Sequence, residues 1–197
     1  MIRVACDAAG IQEAARAAGS GRVIIFPTDT VYGVGCDPYD AGAVDAIYRI
    51  KSRSRSEPLP VLAPSVEAAA GMAEMGPAAG RIAGRFWPGA VTMVLPVRDA
   101  RLQESMRLGG TVAVRVPAGG CISGILGACG PLAGTSANVS GEPAPSSAGA
   151  VRLPGCDLLV DGGESGGTES TIVDVSGPEP AILREGAVPG GEILRIS

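Results

Sequence analysis

The chain has 197 residues, a formal charge of -4, 46% hydrophobic residues, six aromatics and no histidine. Without imidazole there is no Ser-His-Asp or Cys-His relay and no His-ligated zinc site, so catalysis must draw on Arg, Lys, carboxylates, hydroxyls and backbone amides. The acidic balance argues against a surface that grips nucleic acid over its whole extent, while leaving room for a local basic patch. Glycine and proline supply 30 and 16 residues, set between periodic apolar segments as turns and shaped loops.

Cys6, Cys36, Cys121, Cys129 and Cys156 are odd in number and contain no C-x-x-C pair. Reduced thiols acting as small apolar fillers are therefore expected, with no disulfide framework and no thiolate zinc site. No run approaches the ~18 to 20 apolar residues of a membrane helix, and the N-terminus lacks a signal-peptide core. The expectation is a soluble, cytoplasmic protein with no membrane partner.

In chain order, Ile2 to Ala5 reads as a strand, and Asp7 caps an Ala-rich helix that Gly19 and Gly21 end. Val23 to Phe26 is a short buried strand. Ala43, Val44, Ile47 and Ile50 recur at spacings of three and four, which predicts an amphipathic helix from Asp40 to about Lys51. Leu59 to Ala63 is the next strand candidate. Ser65 opens a helix to about Met75, and Pro77 starts another that ends at Trp87-Pro88, where proline forbids continuation. Strands are predicted at Val91 to Val97, Thr111 to Val116, Leu132 to Gly134, Asp157 to Val160, Ser170 to Val175 and Ala181 to Arg184. A short helix fits Ala118 to Cys129, and a terminal helical turn fits Gly191 to Ile196. The alternation predicts a single α/β domain with a mixed sheet, because several late connections are too short for helical crossovers.

Of 16 basic residues Lys51 is the only lysine, and Asn138 is the only asparagine. A site tuned for the compact lysine charge does not freely accept the planar arginine fork. Lys51 is read either as part of a site or as a solvated charge at a helix C-terminus; Asn138 either as a site residue or as a turn former through its tolerance of the left-handed region. Arg49, Arg53 and Arg55 join Lys51 to make a candidate anion site. Thr28, Thr30, Thr111, Arg115, Ser136, Ser170, Thr171 and Arg184 lie at or near strand ends, where ligand sites of α/β sheets gather. Gly33-Val34-Gly35-Cys36 lacks the third glycine of a dinucleotide fingerprint, and Ser136 has no histidine to activate it. Asp161 to Gly167 reads as a lid, an amide-lined anion loop or a long turn.

Taken in order, Pro27-Thr28-Asp29-Thr30-Val31-Tyr32-Gly33, Lys51-Ser52-Arg53, Trp87-Pro88-Gly89, Val112 to Pro117, Thr135 to Gly141, Glu169 to Asp174 and Ile182 to Gly186 resemble the YrdC-like family, the threonylcarbamoyl-AMP synthases. The resemblance runs from about Gly21 to Ala187 and is to the single-domain form, without the C-terminal domain of some members. It implies one YrdC-like domain over residues 1 to 197, with a twisted mixed sheet and a large concave cavity for L-threonine, bicarbonate or CO2, and ATP. It implies threonine contacts at Thr30, Arg115, Ser136 and Ser170, and nucleotide contacts at Arg53, Thr111, Asn138, Ser146 and Arg184. Lys51 and Arg53 are the catalytic candidates, Lys51 facing the phosphates or the carbamoyl group. Mg2+ is expected with ATP, without an assigned ligand, and a transfer machinery and tRNA are expected downstream. Ser54, Glu57 and Leu62 depart from the family pattern; Glu57 would repel triphosphate, so it is expected to point away or to leave its role to Arg55. Two other readings are an RNA-binding module without adenylate-forming activity, and carbamoyl-adenylate chemistry on a different acceptor.

Overall fold

A computed structural model describes residues 1–197. Ten strands form one mixed sheet in the order β1-β8-β2-β3-β7-β4-β6-β5-β9-β10. They are β1 (Ile2–Ala5), β2 (Ile24–Phe26), β3 (Gly33–Cys36), β4 (Val61–Leu62), β5 (Val91–Pro96), β6 (Thr111–Arg115), β7 (Leu132–Ser136), β8 (Leu158–Asp161), β9 (Thr171–Asp174) and β10 (Ala181–Arg184). The helices are α1 (Ala8–Gly19), α2 (Ala41–Lys51), α3 (Val66–Met72), α4 (Pro77–Phe86), α5 (Ala100–Met106), α6 (Gly120–Cys129) and α7 (Gly190–Leu194). No helix is long and apolar enough to cross a membrane.

Local chemistry sets the boundaries. Asp7, Asp40, Ser65 and Asp99 accept hydrogen bonds from the first-turn amides of α1, α2, α3 and α5. Pro77 opens α4, and the helix stops before Pro88. Two elements escaped the sequence reading. Strand β3 carries glycine at alternate positions, so it shows no apolar alternation; a Cβ at Gly33 would lie 2.8 Å from the Phe26 ring and one at Gly35 3.0 Å from it. The glycines admit a ring from the neighbouring strand rather than a nucleotide. Helix α5 is only seven residues long and buries just Leu102 and Met106, too little periodicity to detect.

The period of two along each strand divides the side chains between two apolar clusters. Ile25, Val34, Val61, Val112 and Val114 join α2, α3, α4 and α5 in the larger one. Ile24, Phe26, Leu62, Leu132 and Leu158 point the other way and pack with α1 and α6. That second face continues across β6, β5 and β9, where its residues turn from apolar to polar. On β6 the buried pair Val112 and Val114 alternates with Thr111, Ala113 and Arg115, which face a cavity.

The cysteine expectation is corrected for one pair: Cys6 and Cys121 form a disulfide with Cα atoms 5.8 Å apart. Cys6 lies just before α1 and Cys121 in the first turn of α6, and these helices pack side by side. Spacing along the chain held no trace of that proximity. Cys36 and Cys156 are buried free thiols, as expected of small fillers, and Cys129 is a half-buried one.

Candidate active site

The cavity encloses about 980 Å³ and is lined by both apolar and charged residues. Its walls come from the segment after β2 (Thr28, Thr30), the end of α2 and the turn beyond it (Lys51, Arg53, Glu57), strand β6 (Thr111, Arg115), the end of β7 (Ser136, Asn138) and strands β9 and β10 with the approach to them (Glu169, Ser170, Asp174, Arg184). A register shift between Ile182 and Arg184 interrupts the β9–β10 ladder, and Leu183 and Arg184 both reach the cavity wall.

Arg115 is the buried cation of the site. Its side chain is 6% exposed and donates through Nε to the Gly89 carbonyl at 2.8 Å, through Nη1 to Thr30 Oγ1 at 2.9 Å and through Nη2 to Asp29 Oδ1 at 2.5 Å. A guanidinium has five N–H donors, so two exceed these three partners. Burial pushes the Arg115 pKa down, and Asp29 opposes the shift. Thr30 Oγ1 also lies 2.9 Å from Thr28 Oγ1, which donates to the Val31 carbonyl and shapes the turn that follows β2.

Ser170 stands across the cavity, with Oγ 2.8 Å from Thr92 Oγ1 and 3.4 Å from Arg184 Nη2. Thr92 was missed in the sequence. It is a buried hydroxyl inside an apolar strand, on the face shared with Val94 rather than with Val91, Met93 and Leu95, and that alternation was its signal. Asp29 and Glu169 were part of recognised motifs without an assigned role; each pairs with a cavity arginine, Asp29 with Arg115 and Glu169 with Arg184 at 2.9 Å.

Lys51 is 1% exposed, and its Nζ donates to the Ser136 and Asn138 carbonyls, each at 2.5 Å, with Asn138 Oδ1 at 3.4 Å. It is neither a solvated charge nor an ammonium standing free toward a phosphate. Burial and then the neighbouring Arg53 push its pKa down to about 8, while Glu169 and Cys156 act in the opposite sense. Asn138 does not use the left-handed region. Its Nδ2 donates instead to the Val139 and Glu142 carbonyls, at 3.1 and 2.6 Å.

Glu57 does not point away, because it lines the cavity with its carboxylate 3.4 Å from Arg53. Arg55 does not take over the role expected at position 57 either. It pairs with Asp45 on α2 and lies over the Tyr48 ring, 3.9 Å from the centroid, outside the cavity wall. Ser146 is likewise not a wall residue; its carbonyl accepts from the Ser165 amide and anchors the glycine-rich loop after β8. That loop is tied to the segment after β2: the Tyr32 hydroxyl donates to the Gly163 carbonyl at 2.7 Å and accepts from the Gly162 amide at 3.1 Å, and the Gly167 amide donates to the Thr30 carbonyl.

Comparison with known proteins decides the family. A sequence model of the Sua5/YciO/YrdC family, described as "Telomere recombination", matches residues 16–186. The chain belongs to this family. It is 38% identical over 184 residues to the threonylcarbamoyl-AMP synthase of Pyrococcus abyssi, covering 89% of this chain and 54% of that one. The synthase of Xanthomonas axonopodis pv. citri is 32% identical over 193 residues, covering 96% and 98%. The crystal structure of P. abyssi Sua5 complexed with L-threonine superimposes with a TM-score of 0.90 at 36% identity, over 99% of this chain and 60% of that one. The chain thus spans little more than half of the archaeal relative and nearly all of the Xanthomonas one. The single α/β domain with a mixed sheet, expected from the residues, is the architecture of the family.

Proposed function

We propose that the protein is a threonylcarbamoyl-AMP synthase, converting L-threonine, bicarbonate or CO2, and ATP into threonylcarbamoyl-adenylate and pyrophosphate. The observation that carries the reading is Arg115, a buried guanidinium at the cavity wall, with hydroxyls at Thr30 and Ser170 on the walls around it. Donors left over from its three partners suit a carboxylate, which a guanidinium grips in a bidentate manner. The relatives' names and the threonine-bound Sua5 structure support threonine as the owner of that carboxylate.

The reaction needs no protein nucleophile. The threonine amine attacks the carbon of CO2 and loses a proton, giving a carbamate. A carbamate oxygen then attacks the α-phosphorus of ATP, and the bond to the bridging oxygen breaks as pyrophosphate leaves. A chain without histidine can run both steps, because its share is positioning and charge neutralisation. In this reading Arg115, Thr30, Ser136 and Ser170 hold threonine, and Arg53, Arg184 and Thr111 meet the nucleotide. Well-oriented reactants gain on the order of 7 to 11 kcal/mol, which fits a site of fixed guanidinium and hydroxyl groups.

Mg2+ would supply charge neutralisation on the phosphates. No group of three or more His, Cys, Asp or Glu side chains gathers to hold a metal. This fits an ion that arrives on the nucleotide and keeps several waters, with one or two carboxylates such as Glu169 or Asp174 within the cavity wall to meet it. The product is a reactive mixed anhydride, to be consumed by a threonylcarbamoyl-transfer machinery acting on tRNA in the cytoplasm. The RNA-binding alternative is not favoured by the relatives, which are named threonylcarbamoyl-AMP synthases.

The test is pyrophosphate release from ATP and bicarbonate with and without threonine. Release that depends on threonine is expected; release indifferent to threonine, or RNA binding with no turnover, would overturn the reading.

A further inference from the structure

The chain's single lysine and single asparagine meet each other. Lys51 ends α2, and Ser52 caps the helix in the left-handed region at φ 51°, so the backbone turns away just as the lysine side chain reaches across to the end of β7. All three ammonium protons have an acceptor in that turn: two carbonyls at 2.5 Å and, more distantly, the Asn138 amide oxygen. The Lys51 carbonyl in turn accepts from the Ser140 amide at 3.3 Å. Asn138 closes the far side of the same turn through Val139 and Glu142.

We infer that Lys51 is a positioning residue whose ammonium holds the Ser136 to Glu142 turn in shape, and that Asn138 is its partner in the same task. Its three donors have acceptors within the protein, and only 1% of the residue is exposed, at the cavity wall. The adjacent Arg53, with a side chain 20% exposed, is the cation left for the phosphates. The choice of residue also follows. A compact ammonium sends donors to converging carbonyls from one point, whereas a planar fork cannot. This chain uses arginine for every other basic residue and lysine only here.

The inference rests on the synthase reading for its substrate, and the two fail differently. If Lys51 only faced phosphates, threonine binding without nucleotide would not depend on it. The experiment therefore measures threonine binding by calorimetry in the absence of ATP, together with hydrogen exchange of the amides from 137 to 142 in the substrate-free protein. Lys51→Met and Lys51→Arg are each expected to weaken nucleotide-free threonine binding roughly tenfold or more and to speed exchange in the turn by a similar factor. Arg53→Ala should leave both within about twofold. Asn138→Ala, which leaves the ammonium in place, should reproduce the lysine phenotype and supplies the test should the Lys51 variants not fold. Wild-type threonine binding and exchange in Lys51→Met or Asn138→Ala, with only ATP affinity lost, would overturn the inference. A wild-type protein that binds no threonine would overturn the substrate reading, and the exchange measurement would still decide whether Lys51 holds the turn.

Discussion

Arg53 and Glu57 face each other across a single turn of chain, with Nη1 of the arginine 3.4 Å from the carboxylate and its Nε bonded to the Glu57 carbonyl at 2.9 Å. Glu57 is the more exposed partner, at 58% against 20% for the arginine side chain. In the synthase reading, the carboxylate competes with a phosphate for Arg53. Exposed pairs of this kind contribute about 0.2 to 1 kcal/mol. Glu57→Gln is accordingly expected to lower the KM for ATP by about 1.4- to fivefold with little change in the KM for threonine, and steady-state kinetics with each substrate varied would check it. An unchanged KM for ATP would show that the carboxylate does not compete.

Arg115 should be the least replaceable cation. Lysine cannot serve Gly89, Thr30, Asp29 and an incoming carboxylate together, because it has three donors where the guanidinium has five. Arg115→Lys is expected to reduce kcat/KM for threonine by roughly a hundredfold or more, from the loss of charged hydrogen bonds of about 1.5 to 3 kcal/mol each. Because Asp29 would lose its geometry too, melting measured alongside separates folding from binding.

Lys51 is expected to make the site sensitive to alkaline pH in a specific direction. Its pKa is about 8 in the folded chain against 10.5 ordinarily, with burial the main cause and Arg53 the second. Below pH 8 the ammonium is charged and the turn is held. Between these two values the unfolded chain keeps a proton that the folded chain has shed, so this group's contribution to stability rises with pH even as the charged donor is lost. The expected outcome is a fall in kcat/KM for threonine near pH 8 that appears in the wild type and is absent from Lys51→Met, with no matching fall in the urea midpoint. A limb of the same size in the variant would assign it to another group.

The Cys6–Cys121 bridge joins residues 115 apart in sequence. Disulfides typically stabilise proteins by about 2 to 4 kcal/mol. For a chain of this size that corresponds to a melting temperature about 5 to 15 °C lower in reductant or in Cys6→Ser. Equal melting with and without reductant would mean the bridge contributes nothing.

Most of the fold was legible because its strands and helices carry their own punctuation: Asp7 and Asp40 as caps, Pro77 and Pro88 as start and stop, and apolar runs such as Ile24 to Phe26. What escaped lay in contacts between distant segments. Gly33 and Gly35 make a strand only because Phe26 fills the space beside them, and Cys6 finds Cys121 only because α1 packs on α6. At the site, the single lysine and asparagine stood out by composition, yet their destination did not, since a buried ammonium and a solvated one look alike in sequence. Asp29, Glu169 and Thr92 were overlooked because carboxylates opposite arginines and a lone threonine in a strand gain meaning only from their partners.

Phe26 lines the cavity, and its ring lies against the backbones of Gly33, Gly35 and Gly134. A Cβ at Gly33 or Gly35 would press on the ring, at 2.8 and 3.0 Å, whereas one at Gly134 would sit in ordinary contact with it at 3.6 Å. This part of the chamber wall is therefore written in the hydrogen atoms of β3: enlarging Gly33 would meet the ring alone, whereas enlarging Gly35 would also meet the Ala133 carbonyl of β7.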